Sequence, residues 1–218
     1  MIDRSSLSDR VYKQIRSDIL NQRIGFGEQL INRELRERFG VSSTPIRDAI
    51  NRLYHEGLVS EITNVGVRVI SFNARMALEV NEVISALNQE AARLSLARDN
   101  HTALVPILEQ CIENQMNTIG SEEYFLFDSA FHQAFFDFSG NEFLGKIYQQ
   151  HNSLWELLVS YFYKDKLSNR TKSVEMHKQI LSAYKNNDLV SLLSSINGHF
   201  KSAVEPLTKI NVAQDNSA

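Results

Sequence analysis

Cysteine is almost missing from this chain: Cys111 is the only one among 218 residues. A single thiol excludes an intrachain disulfide framework and points to a reducing cytosol. Long apolar runs are missing too. No stretch approaches the roughly 18 residues of a membrane-spanning helix, and the opening MIDRSSLSDR lacks the apolar core of a signal peptide. The expectation is a cytoplasmic protein with no membrane partner. A strong charge of one sign is also lacking, since the net charge is -3. That balance alone gives no hint of nucleic acid. Its distribution is uneven, with 11 Lys+Arg against 9 Asp+Glu in residues 1–70 and 12 against 17 in residues 71–218. The contrast is modest, but it places the positive share at the N-terminal end.

What is present is apolar material, 43% of all residues, enough for one large core or a small domain plus a medium one. Residues 7–22 carry Leu7, Val11, Ile15 and Ile19 at four-residue spacing, which predicts a first helix. Gly25-Phe26-Gly27 breaks it. Residues 30–39 form a second helix with Leu30, Ile31, Leu35 and Phe39 inward, and Gly40 ends it. A third follows at once in Val41–Gly57. Ser42 and Ser43 offer capping hydroxyls, Pro45 falls in the tolerated first turn, and Ile46, Ala49, Ile50 and Leu53 share one face. Two helices joined by a short glycine-containing turn are the helix-turn-helix pattern. The period then changes. LVSEIT at 58–63 and VRVISF at 67–72 flank Asn64-Val65-Gly66, which predicts a two-stranded wing.

Beyond residue 72 no strand signal remains. Helices are expected at about 74–98, 100–118, 122–138, 141–163, 169–187 and 189–209, with polar residues closing the chain. The fold class is therefore mainly α. A winged helix-turn-helix over 1–72 precedes an antiparallel bundle of six to seven helices over 73–218. Polar residues inside this apolar half carry its chemistry. Asp128 and His132 lie one turn apart on one face, while His177 and His199 sit among apolar neighbours on later helices. Three imidazoles and a carboxylate would suit a divalent ion. D-x3-H recurs by chance, however, and a lone histidine on such a face is more often a hydrogen-bonded core residue.

The run GEQLINRELRERFGVSSTPIRDAINRLYHEGLV followed by NVGVRV resembles the DNA-binding domain of the GntR family of bacterial transcriptional regulators. The resemblance implies operator contacts from Arg33, Ser42, Thr44, Arg47 and Gly66. Ser43 stands where many members carry arginine, and serine cannot read guanine through two parallel bonds, so the operator need not follow the family's commonest one. The second half resembles the FCD ligand-binding domain of the family's FadR branch, through DSAFH at 128–132, SGNEFL at 139–144, EMHKQILSAYKNND at 175–188 and His199. That likeness implies Asp128, His132, His177 and His199 as metal ligands, with zinc as the first expectation and nickel or manganese as alternatives. The metal would anchor a small organic acid. Here Ile84 and Asn88 occupy positions where many members place acid-binding residues, which makes Asn88, Phe131, Trp155 and Tyr161 candidate effector contacts.

Taken together, the expectation is a homodimeric regulator on a palindromic double-stranded operator. A metalloregulator, in which the ion is itself the signal, uses the same residues. A metal-dependent enzyme is the remaining alternative, but no second carboxylate is placed as a base and the groove-reading half would go unused.

Overall fold

The computed structural model describes residues 6–71, 73–162 and 166–215, without the side chains of 159–162, 166, 206 and 208–215. Among the described residues the order is α1 (Leu7–Leu20), β1 (Gln29–Ile31), α2 (Asn32–Phe39), α3 (Ser43–His55), β2 (Val59–Ser60), β3 (Gly66–Val69), α4 (Ala74–Ala97), α5 (His101–Asn117), α6 (Tyr124–Asp137), α7 (Glu142–Phe162), α8 (Lys166–Lys185) and α9 (Leu189–Asp215). No described helix is long and apolar enough to cross a membrane.

The first compact unit comprises residues 1–73 together with 149–161. Helix α1 begins at a capping box in which Ser6 accepts from the Asp9 amide and Asp9 accepts from the Ser6 amide. These bonds satisfy groups that a helix start would otherwise leave open. Val11, Ile15 and Ile19 from α1 pack with Ile46, Ala49, Ile50 and Leu53 from α3 in one core. Truncating one of the fully buried leucines, such as Leu53, would cost about 2–5 kcal/mol, because lost transfer energy and a residual cavity add. Gly40 ends α2 in the left-handed region at φ 63°, where a Cβ would be strained.

Two boundaries differ from the sequence reading. Gln29–Ile31 is a strand rather than the start of the second helix, because it pairs antiparallel with β3, Leu30 opposite Val67. The sheet order is β1-β3-β2, so the wing has three strands. Both wing-hairpin strands are also shorter than the alternation predicts. The tip is closed by Thr63, whose amide and hydroxyl both donate to the Gly66 carbonyl, at 2.8 and 2.9 Å.

Residues 149–161 are the other departure, since periodicity groups them with the bundle. They form the C-terminal part of α7, and Leu157 joins the core of the first unit. Arg16 Nη2 donates to Ser153 Oγ at 2.7 Å and lies 3.4 Å from Glu156, while its Nε lies 3.3 Å from Glu56.

The second unit contains residues 74–148 and 162–218. Its helices α4, α5, α6, α8 and α9 pack against one another. Pro106 lies within α5 without ending it. Helix α6 buries Tyr124, Asp128, Phe131, His132, Phe135 and Phe136, which fits its nearly all-round apolar sequence and a central place in the unit.

Candidate metal centre and nucleic-acid interface

In the bundle, α6, α8 and α9 each present one histidine to a common point. His132 is 3% exposed, His177 0% and His199 4%. One nitrogen from each ring lies within 4.8 Å of the others, a group able to hold a metal ion. Asp128, one turn before His132 on α6, brings Oδ1 to 4.0 Å from His177 Nε2. The four residues expected from the D-x3-H motif and the two later histidines are thus neighbours, with the carboxylate at the edge of the imidazole group. Asp128 Oδ1 also accepts from Tyr124 at 3.0 Å and from Ser173 at 3.4 Å.

Burial disfavours the imidazolium. It pushes His199 down to about 4 and drives His132 and His177 well below the ordinary range, with the charge on neighbouring histidines adding to the effect in both. All three are therefore neutral at pH 7, and a neutral ring has one lone pair to donate. Among the described residues, Nε2 of His177 and both ring nitrogens of His199 are buried without a hydrogen-bond partner. Leaving a buried polar atom unpaired costs about 1–3 kcal/mol. One nitrogen from each of these two rings, turned into the group, would fit a cation that takes its lone pair.

Two amides complete the surroundings. His132 Nδ1 lies 3.0 Å from Asn88 Oδ1 on α4, and His177 Nδ1 lies 2.9 Å from Gln115 Oε1 on α5. Phe131 stacks on His177, with centroids 4.2 Å apart and planes inclined by 20°. Of the expected effector contacts, Asn88 and Phe131 therefore sit against the histidines. Trp155 is buried within the first unit, and the Tyr161 side chain lies outside the described residues. Sequence reasoning missed Gln115. It lies on the stripe Leu104, Leu108, Cys111 and Ile112, all buried, so a polar residue in an apolar face was the available signal. It also missed Arg170, which is buried, donates to the carbonyls of Ile119 and Ser121 at 2.8 Å each, and places its guanidinium over the Tyr124 and Phe125 rings.

In the first unit Ser42, Ser43, Thr44 and Arg47 are exposed at the start of α3, while the opposite face of that helix is buried. Ser42 is the N-cap residue, yet its hydroxyl caps nothing. The cluster of free helical N–H groups there suits a phosphate. Among the described residues none forms an ion pair with Arg47. The neighbouring arginines are tied down. Arg38 lies 2.5 Å from Asp18, and Arg52 lies 2.6 Å from Asp9 with its guanidinium over Tyr12. Arg33 is exposed and loosely paired with Glu37 at 3.7 Å. Gly66 is buried rather than displayed. A Cβ there would lie 2.0 Å from the Leu30 carbonyl oxygen, so the glycine permits close approach of β1 and β3. The exposed wing tip is Thr63, Asn64 and Val65.

A three-helix unit with a wing, joined in one chain to a helical unit with a buried histidine cluster, defines a class: transcriptional regulators with an appended helical domain. Residues 7–69 match the bacterial regulatory proteins, gntR family, and residues 73–202 match the FCD domain. The chain belongs to the GntR family of transcriptional regulators, in the branch that carries an FCD domain. It is 26% identical over 204 residues to the uncharacterized HTH-type transcriptional regulator YdhC of Bacillus subtilis (strain 168), covering 91% of this chain and 90% of that protein. It is 30% identical over 121 residues to the Nta operon transcriptional regulator of Aminobacter aminovorans, covering 55% and 58%. Among solved structures, E. coli McbR/YncC superposes with a TM-score of 0.72 at 21% identity, covering 95% of this chain and 99% of that one. This last likeness speaks for the fold alone. These families and relatives are regulators, not enzymes.

Proposed function

We propose that this protein is a homodimeric, ligand-responsive regulator. It reads a palindromic operator through the start of α3 and the wing, and its bundle holds a divalent ion that anchors a small carboxylate effector. The observation carrying the sensing half is the convergence of His132, His177 and His199, with buried nitrogens on His177 and His199 that have no hydrogen-bond partner among the described residues. With Asp128 the donor set is three neutral nitrogens and one carboxylate oxygen, which suits zinc first and nickel or manganese next. A bound ion would supply Lewis acidity and open coordination positions for the effector's oxygens. The chain's own residues would orient the ligands and exclude water. No second carboxylate is placed as a base at this group among the described residues, and the effector reading needs none.

For DNA, Arg47 is exposed at the start of α3 without an ion-pair partner among the described residues, and would reach a base edge or phosphate. Ser42, Thr44 and Arg33 would position the helix. Ser43 Oγ lies 3.5 Å from Arg36 Nη1, so that position offers a hydroxyl instead of the guanidinium common in the family. The selected operator should then differ from the family's commonest sequence at the base this residue faces. Two-fold symmetry in the protein would match two half-sites in the operator.

The test is operator binding by metal-stripped and zinc-loaded protein, with and without a panel of small carboxylic acids. The proposal expects salt-dependent binding to a palindrome and an affinity that an acid changes only when metal is present. Binding that responds to metal alone would favour the ion as the signal. Binding indifferent to both would contradict the proposed sensing role.

A further inference from the structure

The two amides beside the histidines are oriented by groups that leave them no choice. Asn88 Nδ2 donates to the Ile84 carbonyl at 2.9 Å, and Gln115 Nε2 donates to the Phe127 carbonyl at 3.1 Å. A carbonyl oxygen can only accept, so each amide must turn its NH2 toward the backbone and its oxygen toward the imidazole. An amide oxygen is likewise only an acceptor. The nitrogen facing it, Nδ1 of His132 or of His177, must then carry the proton, at 3.0 and 2.9 Å respectively. The lone pair of each neutral ring is left on Nε2, the face turned to the other histidines.

We propose that Asn88 and Gln115 are positioning residues that lock His132 and His177 in the Nδ1–H tautomer, leaving His199 as the one unlocked ligand of the centre. This inference rests on the metal reading above but concerns the protein before any ion arrives. His199 supplies the internal contrast, because among the described residues neither of its ring nitrogens has a hydrogen-bond partner. The two locked rings come from α6 and α8, and their locks from α4 and α5. The unlocked ring comes from α9. Binding an ion would fix the tautomer of His199 and tie α9 to helices already set.

An oriented ligand binds metal more tightly because its tautomer and ring plane are settled beforehand, and loss of such a partner typically costs about 10- to 100-fold in affinity. The apolar replacements Asn88→Leu and Gln115→Leu remove the acceptor, while Asn88→Asp and Gln115→Glu restore it.

The experiment records long-range 1H–15N spectra of the metal-stripped full chain at neutral pH, then titrates it with Co2+. Six histidines can be assigned by single replacements. The expected spectra show His132 and His177 with the proton on Nδ1 and His199 averaged between tautomers. Each leucine variant should shift its own histidine toward Nε2–H and weaken Co2+ binding by about 10- to 100-fold, with the acidic variant restoring both. Wild-type spectra with the proton on Nε2 of His132 or His177 would overturn the inference, and that reading requires no variant to fold. So would leucine variants with unchanged tautomer and affinity. Locked tautomers in a protein that binds no Co2+ would support the lock and sink the metal reading.

Discussion

The two units differ in how they treat their most buried ionisable groups, Asp18 in one and the histidines in the other. In the first, the carboxylate of Asp18 is almost inaccessible and accepts from Gln14 at 2.9 Å and from Arg38 at 2.5 Å, with Arg23 at 3.4 Å. In the second, His177 Nε2 and both ring nitrogens of His199 meet in the core with no hydrogen-bond partner among the described residues. Buried polar atoms are normally paired, so unpaired ones concentrated at one point call for an explanation. A fold whose buried charge is balanced by its own side chains is complete. A fold with convergent lone pairs would be completed by the proposed ion. On the proposed function the first unit would be constant and the second conditional, a division suited to a regulator whose output depends on a second ligand.

The largest expected effect comes from removing the proposed ion. A metal present at a thousandfold excess over its Kd stabilises the folded state by about 4 kcal/mol. Chelation should therefore lower the thermal midpoint of the helical unit by several degrees, while hydrogen exchange in α1 and α3 stays unchanged. Equal loosening of both units would break the contrast. Next, Asp18→Asn should destabilise the reading unit by about 1.5–3 kcal/mol, the usual range for hydrogen bonds to a charged group, as read by denaturant melts.

The same residue gives a pH test. Burial raises the Asp18 pKa, but bonds from Arg38 and Gln14 outweigh it and hold the group below its ordinary value. A depressed carboxylate contributes stability above its unfolded pKa of about 3.9, and the contribution is lost as pH falls through the folded value. Wild type should thus lose stability more steeply than Asp18→Asn below about pH 4.

Arg47→Ala should cost about 1–3 kcal/mol in operator preference if it reads a base. Because none of the described residues pairs with it, stability should move by no more than about 0.5 kcal/mol. An unchanged preference for operator over random DNA would remove Arg47 from the interface. The smallest effect belongs to Ser6→Ala, which removes the α1 cap and should cost about 1 kcal/mol in stability. Operator specificity should stay the same.

Much of this was legible in the sequence because the signals are local. Ile46, Ala49, Ile50 and Leu53 define α3 by spacing alone, and all four are buried. One-turn spacing puts Asp128 and His132 on one face, but D-x3-H recurs by chance, and it was the likeness to FCD domains that suggested them as ligands. What escaped is what depends on partners far along the chain. Gln29–Ile31 reads as helix until β3, some 37 residues on, supplies its hydrogen bonds. Leu157 carries an ordinary helical pattern, and nothing in that pattern says it completes the core of the reading unit. Gly66 looks like a displayed turn residue, but the reason for a glycine there is the Leu30 carbonyl opposite. Asn88 suggested an effector contact because it departs from a familiar pattern. Its geometry against His132 is a tertiary fact, as is that of Gln115 against His177.

The most direct test of the central claim is metal analysis of protein purified without chelator, paired with Co2+ titration of the stripped chain and of His177→Ala. The account predicts about one ion per chain, bound with the absorption of a nitrogen-rich site and lost in the variant. A wild-type protein that carries no stoichiometric ion and takes up none on titration would contradict it.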